Sequence, residues 1–167
     1  PTRQNRAMTP SPTGIRNAVR ALILQDRQVL LLRKGGDERG ERYALPGGGQ
    51  EPGESLIDAL QRECREEIGT TVIVDELLIV ADYSRARSLP KIGHRQLVEF
   101  LFRCRLPDGY RPTNGPRPDR HQLAVTWVTQ SAIASLPLTP GFLRQPIATG
   151  DFNSLSYAGA FSDHVHP

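Results

Sequence analysis

The sequence is short of cysteine and of long apolar segments, and each shortage excludes a class of protein. Cys64 and Cys104 are the only cysteines among 167 residues, and both lie among apolar residues, so a disulfide framework is not expected and a cytoplasmic location is. No apolar run approaches the ~20 residues that cross a bilayer, so no membrane partner is expected. The polar, proline-rich residues 1–14 lack the pattern of a secretory signal, and we expect a flexible N-terminal extension there.

Lysine is also scarce, since only Lys34 and Lys91 occur among the 21 basic residues. The remaining basic residues are arginines, whose planar guanidinium group binds phosphate through paired N–H groups. The net charge is only +3, and the basic residues are spread along the chain without the basic stripe and interleaved aromatics of a duplex-binding protein. We therefore expect no duplex nucleic acid as a partner.

Alternating strand and helix patterns predict one α/β domain over residues 15–150, followed by a tail over residues 151–167. Residues 107–120, rich in proline and glycine, predict a loop, and residues 131–148 predict a weak helix that prolines interrupt. The first two apolar runs are separated by a short turn and predict a hairpin. The predicted strands cover residues 19–24, 29–33, 43–46, 72–80, 96–104 and 124–128.

One helix is predicted over residues 55–68, with a physical reason for each end. Ser55 and Asp58 are spaced as a capping box, and Gly69 suits the left-handed conformation that ends many helices. Apolar residues recur every four positions and form the stripe expected to face the sheet. These residues are Leu56, Leu60, Cys64 and Ile68.

Three carboxylates, Glu63, Glu66 and Glu67, fall within about one turn of this helix. Like charges so placed cost roughly 0.2–0.5 kcal/mol per pair on an exposed helix. Arg62 and Arg65 offer compensation, so one interpretation is a solvated face with salt bridges. The other is a site for Mg²⁺ or Mn²⁺, which prefer hard oxygen ligands. A glycine-rich loop leads into the helix and fits the phosphate-binding loop pattern from Gly48, except that a glutamate replaces its lysine.

Residues 48–70, GGQEPGESLIDALQRECREEIGT, resemble the box of the Nudix hydrolase family, G-x5-E-x7-R-E-U-x-E-E-x-G-U, in which U is a bulky aliphatic residue. The matching positions are Gly48, Glu54, Arg62, Glu63, Glu66, Glu67 and Gly69. Cys64 and Thr70 depart from the pattern at two aliphatic positions, where we expect small packing adjustments.

The resemblance implies an α/β/α sandwich with a mixed β-sheet, and metal-dependent hydrolysis of a nucleoside diphosphate linked to another moiety. It also implies a cation site with Mg²⁺ or Mn²⁺ bound by Glu63, Glu66, Glu67 and the Gly47 carbonyl. Glu54 would be a further ligand or an outer contact, and Arg62 would orient the carboxylates. Either Glu63 or Glu66 would act as the general base.

Residues outside the box would bind the small-molecule nucleotide, which the resemblance leaves open among nucleoside triphosphate, ADP-ribose, nucleotide sugar and dinucleoside polyphosphate. Many relatives supply an acidic residue from the loop before the strand that contains Trp127, and Arg120 stands where a glutamate is expected. Asp119 or His121 are candidate replacements; the alternatives are that the loop binds substrate phosphate or that Asp119 is an ordinary turn residue. Ordinary surface or core roles are the alternative for each candidate. The candidates are Arg16, Arg20, Tyr43, Arg85, Arg87, His94 and Arg120.

Two further expectations concern the whole molecule. Dimerisation is common among such proteins, so a homodimer is one expected assembly. The alternative to an enzyme is a non-catalytic domain of the same fold that senses or binds a nucleotide without cleaving it. The intact set of box glutamates favours the enzyme.

Overall fold

A mixed β-sheet forms the centre of the protein. The computed structural model describes residues 14–86, 94–152 and 156–163. Its strands are β1 (Arg16–Gln25), β2 (Gln28–Lys34), β3 (Arg42–Ala44), β4 (Gly47–Gly49), β5 (Ile73–Ala86), β6 (His94–Arg105), β7 (Gln122–Thr129), β8 (Leu138–Thr139) and β9 (Ser156–Asp163). The order is β8-β3-β2-β1-β6-β5-β9, with β4 paired to β1 and β7 to β2. The β1–β6 and β5–β9 pairs are parallel, whereas β1–β2 and β5–β6 are antiparallel.

The predicted N-terminal hairpin is confirmed, because β1 and β2 pair across a two-residue turn. Asp26 and Arg27 form that turn with positive φ angles of 49° and 60°. Positive φ at both central residues matches the right-handed twist of the flanking strands. The hairpin places β2 beside β1, so that both border the site described below.

Helices cover the two faces of the sheet and complete an α/β/α sandwich, as predicted. Helix α1 (Leu56–Ile68) packs on one face with a cluster that includes Val19, Ala21 and Ile23 of β1. On the other face, Leu22 packs with 3₁₀ helices at Gln130–Ser135 and Gly141–Leu143 and with helix α2 (Arg144–Thr149). Successive side chains of β1 point to opposite faces of the sheet, so this one strand contributes to both cores. None of the helices in the described ranges is long and apolar enough to span a membrane.

Local signals place α1, as the sequence predicts. The Ser55 hydroxyl accepts a hydrogen bond from the Asp58 N–H at 3.0 Å, and the Asp58 carboxylate accepts one from the Ser55 N–H at 3.1 Å. Gly69 ends the helix with a φ of 74°. Leu60, Cys64 and Ile68 are fully buried against the sheet. The remaining surface of the helix carries the charged residues, of which Glu67 is also buried.

The structure differs from the sequence prediction at the glycine-rich segment, which is a strand and not only a loop. Gly47, Gly48 and Gly49 form β4 and pair antiparallel with β1. Gly47 has a φ of 139°, and a Cβ there would collide with the carbonyl of Val19. Only glycine allows this close approach of two backbones. The glycines therefore bring the start of the box directly onto the central strand.

The predicted tail also contributes a strand, because β9 extends the sheet beside β5 of the same chain. The Tyr83 hydroxyl donates a hydrogen bond of 2.6 Å to Asp163 near the end of β9. The N-terminal extension predicted over residues 1–14 lies outside the described residues except for Gly14. The domain boundaries at residues 15 and 150 remain predictions.

Candidate active site

Glu67 of α1 joins the helix to the glycine strand. Its carboxylate accepts a hydrogen bond of 2.8 Å from the Gly47 N–H, and the residue is only 3 % exposed. Burial raises the pKa of Glu67 to about 7, against the lowering effect of the hydrogen bond from Gly47. The charge of Glu63 adds to the rise, whereas Lys34 and Arg20 oppose it. A buried carboxylate in this setting is stabilised as an anion by a nearby cation.

Arg62 contacts the remaining box carboxylates, Glu54, Glu63 and Glu66. Its guanidinium group donates to Glu54 at 2.6 and 3.1 Å, to Glu63 at 2.8 Å and to the Gly49 carbonyl at 2.9 Å. Glu66 lies 3.7 Å away, one helical turn further on. The hydrogen bonds from Arg62 are the main cause of the lowered pKa of Glu54. One arginine thus contacts three of the carboxylates that the sequence predicts as ligands, and Glu67 is held by Gly47 instead.

Gly48 leaves the space that the Glu63 carboxylate occupies. A Cβ at position 48 would collide with the carboxylate of Glu63. The first glycine of the box motif therefore allows a side chain fifteen positions later to keep its carboxylate at this place. A larger residue would displace that carboxylate from its position beside Arg62.

Arg20 of β1 connects the glycine strand to a second buried carboxylate. It donates to the Gly47 carbonyl at 3.1 Å and to Glu99 of β6 at 3.1 and 3.3 Å. Glu99 is 2 % exposed. Sequence reasoning missed Glu99, although a carboxylate inside the apolar run of β6 is a signal, since a buried charge needs a partner.

The oxygen donors gathered here fit a divalent cation by their chemistry. Glu63, Glu66, Glu67 and the Gly47 carbonyl supply the hard oxygen ligands that Mg²⁺ and Mn²⁺ prefer. In this structure guanidinium groups hold the same atoms, with Arg62 on Glu63 and Arg20 on the Gly47 carbonyl. Within the described residues, no three His, Cys, Asp or Glu side chains are grouped as ligands for one ion. A cation would take over part of the charge balance that the arginines provide.

A segment over residues 110–122, which we call the α1 strap, satisfies the last carbonyls of α1. The Gly115 N–H donates to the Glu67 carbonyl at 2.9 Å, the Arg117 N–H to the Glu66 carbonyl at 3.0 Å, and the Tyr110 hydroxyl to the Ile68 carbonyl at 2.9 Å. A Cβ on Gly115 would collide with the helix backbone. Helix ends leave such carbonyls without partners inside the helix. The strap therefore holds the backbone that carries Glu66 and Glu67.

Two side chains of the strap reinforce it. The Gln122 amide donates to the Glu67 carbonyl at 2.8 Å and to Asn114 at 2.9 Å. The Arg117 guanidinium group reaches the Glu66 carboxylate at 2.7 Å, although its own side chain is largely exposed. The sequence predicts a loop here but gives no sign of these contacts, which depend on how the loop folds back over the helix.

Replacing Gln122 by alanine should lower the free energy of unfolding by about 1–3 kcal/mol, because it removes the hydrogen bonds to the Glu67 carbonyl and to Asn114. Urea denaturation of the purified variant measures this change. Gln28→Ala is the control, because Gln28 is exposed at the start of β2 and its replacement should change stability by less than about 0.5 kcal/mol. Equal effects of the two substitutions would contradict the role assigned to the strap.

A cavity of about 150 Å³ adjoins Arg20 and collects three of the residues predicted to bind substrate, Arg20, Tyr43 and Arg85. Arg16, His94 and Arg120 are exposed and do not line it, and Arg87 lies outside the described residues. The other lining residues are Lys34, Arg39, Arg42, Ala44, Asp119 and Thr139. The structure thus brings together only part of the predicted substrate set.

Asp119 and His121, the candidate replacements for a loop glutamate, both engage this region. Asp119 pairs with Lys34 at 2.8 Å. Burial alone would raise the pKa of Asp119, but Lys34 lowers it below its usual value. His121 lies 3.5 Å from Asp37, a carboxylate that also pairs with Arg39 and Arg42. Asp119 therefore lines the cavity as the partner of a lysine.

Sequence reasoning missed Lys34, Arg39 and Arg42 as cavity residues. Lys34 ends β2, Arg42 begins β3, and Arg39 lies in the polar loop between them. One signal was available, because a charged cluster follows an apolar strand and precedes the glycine strand. The sequence does not predict that this loop folds toward β1 and β5.

Comparisons with known proteins identify the family of this chain. A model of the NUDIX domain matches residues 14–148. The uncharacterized Nudix hydrolase YvcI of Bacillus subtilis is 30% identical over 129 residues, which cover 77% of this chain and 75% of YvcI. The nucleoside triphosphatase NudI of Escherichia fergusonii is 45% identical over 58 residues, which cover 33% of this chain and 41% of NudI.

Among solved structures, the MutT protein of Bacillus halodurans superposes with a TM-score of 0.64 at 23% identity, covering 89% of this chain and 90% of that one. This likeness concerns the fold. The matched segment of NudI is less than half of that protein's length, whereas the family model spans most of the present chain. The chain belongs to the Nudix family.

Proposed function

We propose that the protein is a hydrolase that cleaves the pyrophosphate linkage of a nucleoside diphosphate joined to another moiety, with Mg²⁺ or Mn²⁺ as its cation. The observation that carries this proposal is that Arg62 contacts Glu63 and Glu66 while Glu67 is bonded to the adjoining glycine strand. Hard oxygen donors held in this way, next to a cationic cavity, suit a substrate that brings phosphates together with a cation.

The burial and contacts of each box residue indicate its role. A bound cation would neutralise the pyrophosphate and polarise the phosphorus that water attacks. Glu67, buried and held by the Gly47 N–H, is suited to a fixed ligand position. Arg62 keeps Glu54 and Glu63 in place, as an outer contact orients a ligand.

Glu63 and Glu66 are the two candidates for the general base. Both are partly exposed, with side chains 16 % and 20 % accessible, so either can reach a water molecule. A general base must lie within hydrogen-bond reach of the proton it removes. Glu67 lacks this access, which separates its role from theirs.

Nucleoside triphosphates are the first substrates to test. NudI, which matches part of this chain, is named a nucleoside triphosphatase. The cationic cavity beside Arg20 also favours a substrate with several phosphates. ADP-ribose, nucleotide sugars and dinucleoside polyphosphates complete the panel, because residues outside the box select among them.

Incubation of the protein with this panel and Mg²⁺ or Mn²⁺ tests the proposal, with products identified by mass. We expect release of a nucleoside monophosphate, no turnover in excess EDTA, and recovery when metal is restored. Binding of a nucleotide without turnover of any compound would favour the non-catalytic sensing domain instead. Light scattering of the same sample tests the predicted homodimer.

The same proposal includes the domain over residues 15–150 and a cytoplasmic location. Both cysteines are free and buried, which suits a reducing compartment. Fractionation of the source cells, followed by immunodetection, would check the location.

A further inference from the structure

We propose that the cavity beside Arg20 binds a phosphate monoester group of the substrate, one that is not part of the bond being cut. The inference rests on the proposed hydrolase function and narrows its substrate class. The terminal phosphate of a nucleoside triphosphate and a phosphate on the sugar of a nucleoside diphosphate derivative share this chemistry.

Positive charge exceeds negative charge around the cavity. Five cationic side chains line it, Arg20, Lys34, Arg39, Arg42 and Arg85. Three carboxylates pair with the first four: Glu99 with Arg20, Asp119 with Lys34, and Asp37 with both Arg39 and Arg42. Glu67 also interacts electrostatically with Arg20 and Lys34. Counting it with these three carboxylates still leaves one positive charge in excess, as an anion site should have.

Arg85 is the fifth cation that lines the cavity. It is half-buried, and within the described part of the chain its side chain forms no hydrogen bond or ion pair, since only its backbone pairs, with β6 and β9. Burial lowers the pKa of Arg85, and the nearby charges of Arg20 and Arg39 lower it further. A partly desolvated cation among cations is unfavourable unless an anion accompanies it. A dianionic phosphate supplies that anion and accepts paired N–H groups.

The cavity also lies where a second phosphate of the substrate would reach. Arg20 lines the cavity and donates to the Gly47 carbonyl at 3.1 Å, next to the hydrogen bond between Gly47 and Glu67. Lys34, another lining residue, interacts electrostatically with the carboxylate of Glu67. One substrate can therefore place its pyrophosphate at the box glutamates and a further phosphate in the cavity.

Paired substrates that differ by one phosphate test the inference. ATP is compared with ADP, and 2′-phosphorylated ADP-ribose with ADP-ribose, for the parent, Arg85→Gln and Arg39→Gln. We expect kcat/KM of the parent to be higher for the compound with the additional phosphate in at least one pair. Arg85→Gln should reduce that preference roughly 10-fold or more, mainly through KM. The pair affected shows whether the phosphate is terminal or on the sugar.

Controls separate a local effect from a general one. Arg105→Gln removes an arginine of β6 that pairs with Asp75 on the exposed surface, and it should leave both preferences unchanged. Arg39→Gln changes a residue of a polar loop outside the sheet core, so it tests the cavity even if Arg85→Gln does not fold. Equal losses for both members of each pair, or no preference in the parent, would overturn the inference.

A binding measurement without metal tests the cavity apart from catalysis. Inorganic tripolyphosphate in EDTA should raise the thermal midpoint of the parent, because it binds the folded state. The rise should be smaller for Arg85→Gln and unchanged for Arg105→Gln. An equal rise in all three proteins would overturn the inference. Absence of turnover on every compound would instead reject the hydrolase function, whatever the tripolyphosphate result.

Discussion

Glu67→Gln should lose at least about 100-fold in kcat/KM while its fold stays intact, since removing a ligand should cost no less than the 10- to 100-fold lost with an outer contact. Glutamine keeps the shape and an oxygen that accepts the Gly47 N–H. It removes only the negative charge that a divalent cation requires. Steady-state hydrolysis of the best substrate at saturating Mg²⁺ measures the loss, and Glu66→Gln is measured beside it.

Stability measurements distinguish this loss from misfolding. The carboxylate of Glu67 is buried, so without metal the neutral glutamine should leave the thermal midpoint equal or higher. Mg²⁺ should raise the midpoint of the parent more than that of the variant, because the cation binds the folded state. Glu76→Gln, on the exposed surface of β5, is the control for charge alone. Full activity of Glu67→Gln would reject its role as a ligand.

Arg62→Lys should reduce activity by roughly 10- to 100-fold, the range expected when an outer contact of a metal site is lost. Arginine reaches Glu54, Glu63 and the Gly49 carbonyl at once through separate nitrogens. Lysine keeps the positive charge but offers a single nitrogen, so the carboxylates lose their fixed arrangement. Hydrolysis rates at a series of Mg²⁺ concentrations measure the change.

The Mg²⁺ dependence of Arg62→Lys shows how this substitution lowers activity. If Arg62 positions ligands, the variant should need more Mg²⁺ for half-maximal activity than the parent does. Arg65→Lys, an exposed arginine of the same helix, should behave like the parent. A lower rate with the same Mg²⁺ requirement would show that Arg62 acts on the substrate instead.

The sequence predicts α1 and its charged side well, because each signal is local. Ser55, Asp58 and Gly69 set the helix ends through contacts within a few residues. The spacing of the apolar stripe then determines which side faces the sheet, and so where Glu63 and Glu66 lie. No knowledge of distant strands is needed for these conclusions.

The remainder of the site depends on strand order and on loops, which local patterns do not determine. Arg20 meets Glu99 because β1 lies beside β6, although the two residues are far apart in the chain. Arg20, Arg85 and the exposed Arg16 look alike as sequence, yet only the first two line the cavity. The α1 strap is not predicted for the same reason, because its backbone contacts depend on how the loop packs against the helix.

The last strand, β9, has a consequence for the behaviour of the protein in solution. β5 is the longest strand of the sheet, running from Ile73 to Ala86, and β9 pairs along one side of it. Without β9, the 14 residues of β5 would form the edge of the sheet, whereas β9 replaces that edge with a strand of 8 residues. Short edge strands limit edge-to-edge aggregation, so any truncation or tag should spare the chain through Asp163.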